Sequence, residues 1–192
     1  MAVMGQASSA RTVVLVEGVS DARALEALAR RRGRDLAAER ISILPIGGAK
    51  NIGAFLERFG PRGLGLRLAG LCDVAEAEEF RRGLERAGVA EGVGVGDMEA
   101  LGFYSCVEDL EDELIRALGV VRVEEVLASQ DELAAFRTFQ KQPAQRDRTN
   151  EERLRRFLGT KSGRKERCAA VLVDALDLSR VPRPLELLLR RV

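Results

Sequence analysis

The chain has 192 residues and a formal net charge of +1; 46% of residues are apolar and only 4% aromatic, with no tryptophan. That is enough for one sizeable domain with a core of Leu, Val, Ala and Ile, and no apolar run reaches membrane-spanning length. There is no histidine, so imidazole chemistry is excluded, and three cysteines without a CxxC spacing argue against a disulfide framework or a zinc knuckle and fit a reducing, cytoplasmic setting.

Residues 1–10 are polar, lack an apolar signal core and are expected to be disordered. Thr12 to Val16 reads as a buried strand. It runs into Glu17, Gly18 and Asp21, with Ser20 expected to cap a helix over Asp21 to Arg32 that Gly33 ends. The carboxyl end of a strand in an α/β sheet is where ligands bind, and an unpartnered buried acid there is costly. A metal cation would provide the partner. The alternative is that Glu17 pairs with an arginine and Asp21 favours the helix N-terminus.

A second strand, Ile41 to Pro45, leads through Gly47-Gly48-Ala49-Lys50-Asn51 into a helix over Ile52 to Phe59. The glycine pair serves either a turn or the exposure of amides to a phosphate. Leu66 to Cys72 is a third strand, ending in Asp73. A helix over Glu76 to Ala87, a glycine-rich loop over Ala90 to Ala100 and a fourth strand over Leu101 to Cys106 follow. Asp109-Leu110-Glu111-Asp112-Glu113 then opens a helix to Leu118. Four βα repeats imply a parallel sheet covered by helices. Beyond Val120 the pattern is helical: 123–127, 132–139, 151–158, 164–176 and 184–192, with a loop over 140–150. The expected division is a core over 11–119 and a helical C-terminal extension over 120–192.

Three of the four strands run into acids, and this accumulation is the sequence's best evidence for a cation site. Charge is also segregated. Residues 73–132 hold 17 acids and 5 bases, whereas 137–167 hold 11 bases and 4 acids. An acidic site beside a basic strip suits a metal-dependent enzyme acting on a polyanion; solvated faces would give the same pattern. Arg153, Arg155 and Arg156 suit either a solvated helix face or contact with DNA. Tyr104, Cys72 and Cys106 read as core residues, and Arg30-Arg31-Arg32 as cations at a helix C-terminus.

Glu17-Gly18 with Asp21, the segment Pro45-Ile46-Gly47-Gly48-Ala49-Lys50-Asn51-Ile52, Asp73 after a strand and Asp109-Leu110-Glu111 after another resemble the TOPRIM domain. The resemblance is to the type found in OLD (overcoming lysogenization defect) nucleases. It covers residues 11–118 and continues more loosely to 176 through Ser162-Gly163-Arg164-Lys165. It implies a divalent-metal-dependent nuclease cleaving DNA, holding one or two Mg²⁺ or Mn²⁺ ions. The implied metal ligands are Glu17, Asp21, Asp73, Glu76, Asp109 and Glu111. Glu17 doubles as general acid/base, and Lys165, with Lys161 as fallback, stabilises charge on the scissile phosphate. Lys50, Lys161, Arg164 and Lys165 are the implied nucleic-acid contacts. Ala75 stands where the family's DxD has its second aspartate, which opens the alternative of a catalytically silent module binding nucleic acid or an ATPase partner. An RNA-processing TOPRIM enzyme is the further alternative. OLD proteins carry an ATPase domain ahead of the TOPRIM; with eleven residues before the first strand, a separate ATPase chain is the expected partner, and a homodimer is compatible with the sequence.

Overall fold

The computed structural model describes residues 10–92, 94–161 and 163–192. Most of the expected disordered N-terminus, and Ser162 of the Ser162–Lys165 segment, lie outside the described residues. The elements in order are β1 (Thr12–Val16), α1 (Val19–Arg31), β2 (Ile41–Pro45), α2 (Ile52–Phe59), β3 (Arg67–Asp73), α3 (Ala77–Arg86) and β4 (Phe103–Cys106). Then come α4 (Leu110–Leu118), α5 (Val120–Ser129), α6 (Leu133–Gln140), α7 (Asn150–Gly159), α8 (Arg164–Ala175) and α9 (Arg183–Arg191). No helix among the described residues is long and apolar enough to cross a membrane.

The four strands form one parallel sheet in the order β2-β1-β3-β4. Helices cover it on both faces, as expected for an α/β TOPRIM-like core with a helical C-terminal part. Right-handed crossovers dictate which helix lies where. The chain leaves β1 toward β2 in one direction and passes from β2 to β3 and β4 in the other. Accordingly α1 shares a core with Val14 and Val16 on one face, and α2 and α3 share another with Val13 and Leu15 on the opposite face. Alternate β1 residues thus enter different cores, which is why the strand is apolar throughout. Gly70 in β3 is required by packing: a Cβ there would stand 2.5 Å from the Phe103 ring.

The α1 face carries the larger core. Leu25 and Leu28 of α1 lie there with Leu114, Leu127, Phe136, Phe157, Leu172 and Leu188 from α4 to α9. The three arginines at the end of α1 fasten this arrangement. Arg31 Nη1 donates to the carbonyls of Val173 and Leu176 at 2.7 and 2.8 Å, Arg30 pairs with Asp174, and Arg32 with Glu186. They lie in the last turn and at the C-cap of α1, as expected, and their side chains also hold the end of α8 and the start of α9.

One boundary also differs. The N-cap of α1 is Gly18, not Ser20, because the Asp21 carboxylate turns back and accepts the Gly18 amide at 2.8 Å.

Candidate metal and nucleic-acid site

The sheet reverses its strand order between β1 and β3, and a crevice opens at the carboxyl ends of such strands. Glu17 and Asp73 stand on its two sides. Glu17 Oε1 accepts the Asp73 backbone amide at 3.0 Å, and the Glu17 carbonyl accepts the amides of Gly47 and Gly48 at 3.0 and 3.1 Å. The Gly47-Gly48 pair is therefore spent on fixing the backbone at Glu17. Gly47 adopts φ of 74°, a conformation that favours glycine.

Among the described residues, neither Glu17 nor Asp21 has an arginine partner. Glu17 is tied to an amide of β3, and Asp21 to the amide at its own helix start, so of the cation-free alternative only the helix-start part is seen. The acids instead feel one another. Burial raises the Glu17 pKa, the Asp73 amide opposes this, and the Glu76 charge adds to the rise. Burial pushes Asp21 up to about 7, assisted by Glu111 and Glu17 against the Gly18 amide. Asp73 also reaches about 7, first through burial and then through Glu17, Asp21, Asp109 and Glu111. Five acids, from the ends of β1 and β3 and the starts of α1 and α4, thus share one electrostatic neighbourhood with Glu76.

Glu76 closes a short 3-10 turn over Val74–Glu76, in which Ala75 is exposed. Asp109 is the N-cap of α4: Oδ1 accepts the Asp112 amide at 2.8 Å, and Oδ2 takes Arg155 Nε at 2.8 Å with Lys165 Nζ at 3.9 Å. Glu111 is only 3% exposed. Its Oε2 takes Lys165 Nζ at 2.9 Å, and its buried Oε1 has no hydrogen-bond partner. Burial works against the Lys165 charge, but Glu111 and Asp109 outweigh it and leave the ammonium pKa above its ordinary value.

The donor chemistry fits a hard divalent cation. Every donor is a carboxylate oxygen, Glu111 Oε1 is, among the described residues, an orphaned buried acceptor, and burial with neighbouring acids disfavours the ionised forms of Asp21 and Asp73, which nearby positive charge would favour. The arrangement is not closed around an ion: among the described residues, no three acidic or cysteine side chains are grouped so as to hold one. The reason is visible in the bonds above. Glu17 and Asp21 are turned onto amides, and Asp109 and Glu111 onto Arg155 and Lys165.

The expected nucleic-acid contacts divide. Lys50 and Lys161 are exposed, and Lys165 is half-exposed beside the acids. Arg164 is not available and its expected role is corrected. It is 5% exposed, donates to the Phe157 carbonyl at 2.8 Å, pairs with Glu132 at 3.0 Å and lies 3.9 Å over the Phe157 ring. Arg155 is one of three arginines, with Arg153 and Arg156, that the sequence leaves open between a solvated face and DNA contact. It joins α7 to Asp109 and to Glu108, the latter at 2.8 Å. The only signal for it was the surplus of bases in residues 137–167.

Residues 10–74 match the family model described as "Overcoming lysogenization defect protein-like, TOPRIM domain". The match spans β1 to β3 and includes Glu17, Asp21 and Asp73. No curated protein matches the sequence. Among solved structures, the C-terminal region of the Xanthomonas campestris pv. campestris OLD protein superposes with a TM-score of 0.73 at 22% identity, covering 95% of this chain and 92% of that one. The C-terminal region of the Burkholderia pseudomallei OLD protein gives 0.72 at 22% identity, with 94% and 96% covered. At that identity the likeness speaks for the fold, and it extends through the helical C-terminal part. The family match over β1 to β3 is to a TOPRIM domain of the OLD-like type, and the structural likeness shows that the shared fold extends beyond the matched residues.

Proposed function

We propose that the protein is a divalent-metal-dependent nuclease acting on DNA phosphodiester bonds. The observation that carries this reading is the bond from the Asp73 amide at the end of β3 to the Glu17 carboxylate after β1, with burial and neighbouring acids pushing Asp21 and Asp73 up to about 7 beside it. Such a cluster lowers the stability of the fold unless positive charge compensates it, so its presence is best explained by a ligand.

Glu17, Asp21 and Asp73 would hold the ion, with Glu76 and the free oxygen of Glu111 at its edge. Mg²⁺ or Mn²⁺ bound there would supply Lewis-acid stabilisation of a phosphoryl oxygen and activation of a water molecule. The residues of the chain do the rest. Glu17, fixed by the Asp73 amide, is positioned to take a proton from an attacking water. Lys165 brings a cation whose charge Glu111 secures, and it suits the developing charge on the phosphate. Lys50 and Lys161 are exposed and would meet a polyanion at longer range.

One observation favours the rival reading of a module that binds nucleic acid or an ATPase partner without cleaving: alanine at position 75 leaves β3 with one carboxylate fewer than the family pattern. A nicking assay on supercoiled plasmid with Mn²⁺, Mg²⁺ or EDTA separates the two. Metal-dependent nicking that Asp73→Asn abolishes is expected. Calorimetric Mn²⁺ binding by the wild type with no nicking would leave the binding module, and neither binding nor nicking would remove the metal site altogether.

A further inference from the structure

A polar groove of about 570 Å³ runs from the acid cluster along α7. Its lining joins Asp109 and Lys165 to Arg148, Glu152, Arg155 and Arg156. Its charges are not equivalent. Asp109 is engaged by the Asp112 amide and Arg155. Glu152 reaches back to the Thr149 amide at 2.8 Å, completing the capping box of α7. Arg155 is held by Asp109 and Glu108, and Lys165 by Glu111.

Two cations are left over. Arg156 is exposed and has no hydrogen bond or ion pair among the described residues. Among the described residues the Arg148 side chain makes one bond, Nε to the Ala144 carbonyl at 3.2 Å, which leaves its terminal nitrogens uncommitted. Most arginines on this face are partnered: Arg153 is bonded to the carbonyls of Gln145 and Arg146, and Arg137 pairs with Glu124. Arg148 and Arg156 differ from them, and they share one concavity with the partnered Arg155. A guanidinium fork matches a phosphate in shape and charge, and neutralisation of Asp109 and Glu108 by Arg155 removes the repulsion an incoming phosphate would meet.

We infer that Arg148 and Arg156 form a phosphate subsite for the DNA backbone flanking the phosphate at the acid cluster, with the strand leaving the site along α7 past Lys165. The direction of the strand rests on the nuclease reading; the binding itself does not.

The test measures binding of a 20-nucleotide single-stranded DNA, and of the RNA of the same sequence, to the full chain in EDTA over a series of salt concentrations. Arg148→Ala/Arg156→Ala is expected to lower DNA affinity about tenfold or more and to reduce the salt slope by about 1.4, that is about 0.7 for each lost phosphate contact. Arg156→Glu, at an exposed position, should weaken binding further without shifting the thermal midpoint. Lys141→Ala, an exposed cation outside the groove, should change neither. Unchanged DNA affinity and slope in the double variant overturn the proposal, as does a loss confined to RNA, which would assign the groove to RNA. A wild-type chain that binds neither polymer at low salt also overturns it. Failure of the nuclease reading shows separately, as absence of Mn²⁺-dependent nicking, and leaves the binding readout standing.

Discussion

Glu17 Oε1 accepts the backbone amide of Asp73 at 3.0 Å, so the carboxylate that ends β1 is bonded to the residue that ends β3. One hydrogen bond therefore sets the distance between the two strand ends on which the proposed chemistry depends. Glutamine keeps the accepting oxygen and removes the charge and the basic site. Glu17→Gln is expected to fold with a stability change under about 1 kcal/mol, while nicking falls by about 10²–10⁴-fold, the range for loss of a general base. Thermal melts and the plasmid assay on one preparation check both halves. Full activity in the variant would remove Glu17 from the mechanism.

The raised pKa values of Asp21 and Asp73 carry a pH dependence. Each aspartate ionises near its ordinary value of 3.8 when unfolded and at about 7 in the folded chain. The native state thus holds protons that the unfolded state releases, and its stability falls as pH rises from about 4 to about 7. Carboxylates lowered by arginine partners, such as Glu132 with Arg164 and Glu99 with Arg183, act in the opposite sense at the acid end. Without metal, the midpoint of thermal unfolding should therefore be higher at pH 5.5 than at pH 8. Asp73→Asn should flatten that slope. Mn²⁺ should raise the midpoint more at pH 8 than at pH 5.5, because the ion competes with the protons. A metal-free midpoint that rises between the two pH values would contradict the clustering of the acids.

How much of this was legible beforehand depends on the kind of interaction. The strands and helices were, since apolar runs of five residues, helical spacing and glycine stops are local signals; β1 and β2 fall where the pattern puts them. The position of Glu17, Asp21 and Asp73 at strand ends was also legible, because each acid directly follows an apolar run or opens the next helix. What could not be read is pairing over long sequence separations. Arg155 and Arg156 are adjacent on α7, yet one neutralises Asp109 and the other is free, and only the placement of α7 beside α4 separates them. Arg164 was misjudged for the same reason: Glu132 and Phe157, which claim its guanidinium, are not its helix neighbours.

That reassignment of Arg164 is directly testable. The guanidinium bonds the Phe157 carbonyl and Glu132 and stacks on an aromatic ring, all within the C-terminal helical part. Removing one partner of a buried pair leaves the other uncompensated, so Arg164→Ala should cost about 3 kcal/mol or more. Lysine cannot reproduce a stacked, forked contact, so Arg164→Lys should recover little of it. Chemical denaturation measures the loss. At a temperature where the variant is still folded, its DNA affinity and salt slope should match the wild type. A lowered slope at unchanged stability would return Arg164 to the nucleic-acid interface.

Ala75 decides between the enzyme and the silent module most sharply. It is exposed in the turn between Asp73 and Glu76, so Ala75→Asp should leave stability within about 0.5 kcal/mol where the metal-free acids are protonated. The added carboxylate stands two residues after Asp73, in the turn that carries Glu76. It should therefore lower the metal-free midpoint at pH 8 and tighten Mn²⁺ binding, by about tenfold if it ligates, since affinity for hard cations follows the count of charged ligands. Glu76→Gln supplies the complement. If Glu76, on its longer side chain, already serves in place of the missing aspartate, that variant weakens Mn²⁺ binding and Ala75→Asp adds little. If Ala75→Asp alone strengthens binding and nicking, the wild-type site is short of one ligand and works as a weakened enzyme. Should neither substitution move the Mn²⁺ isotherm, the end of β3 is not where the ion binds, and the acid cluster must be explained without it.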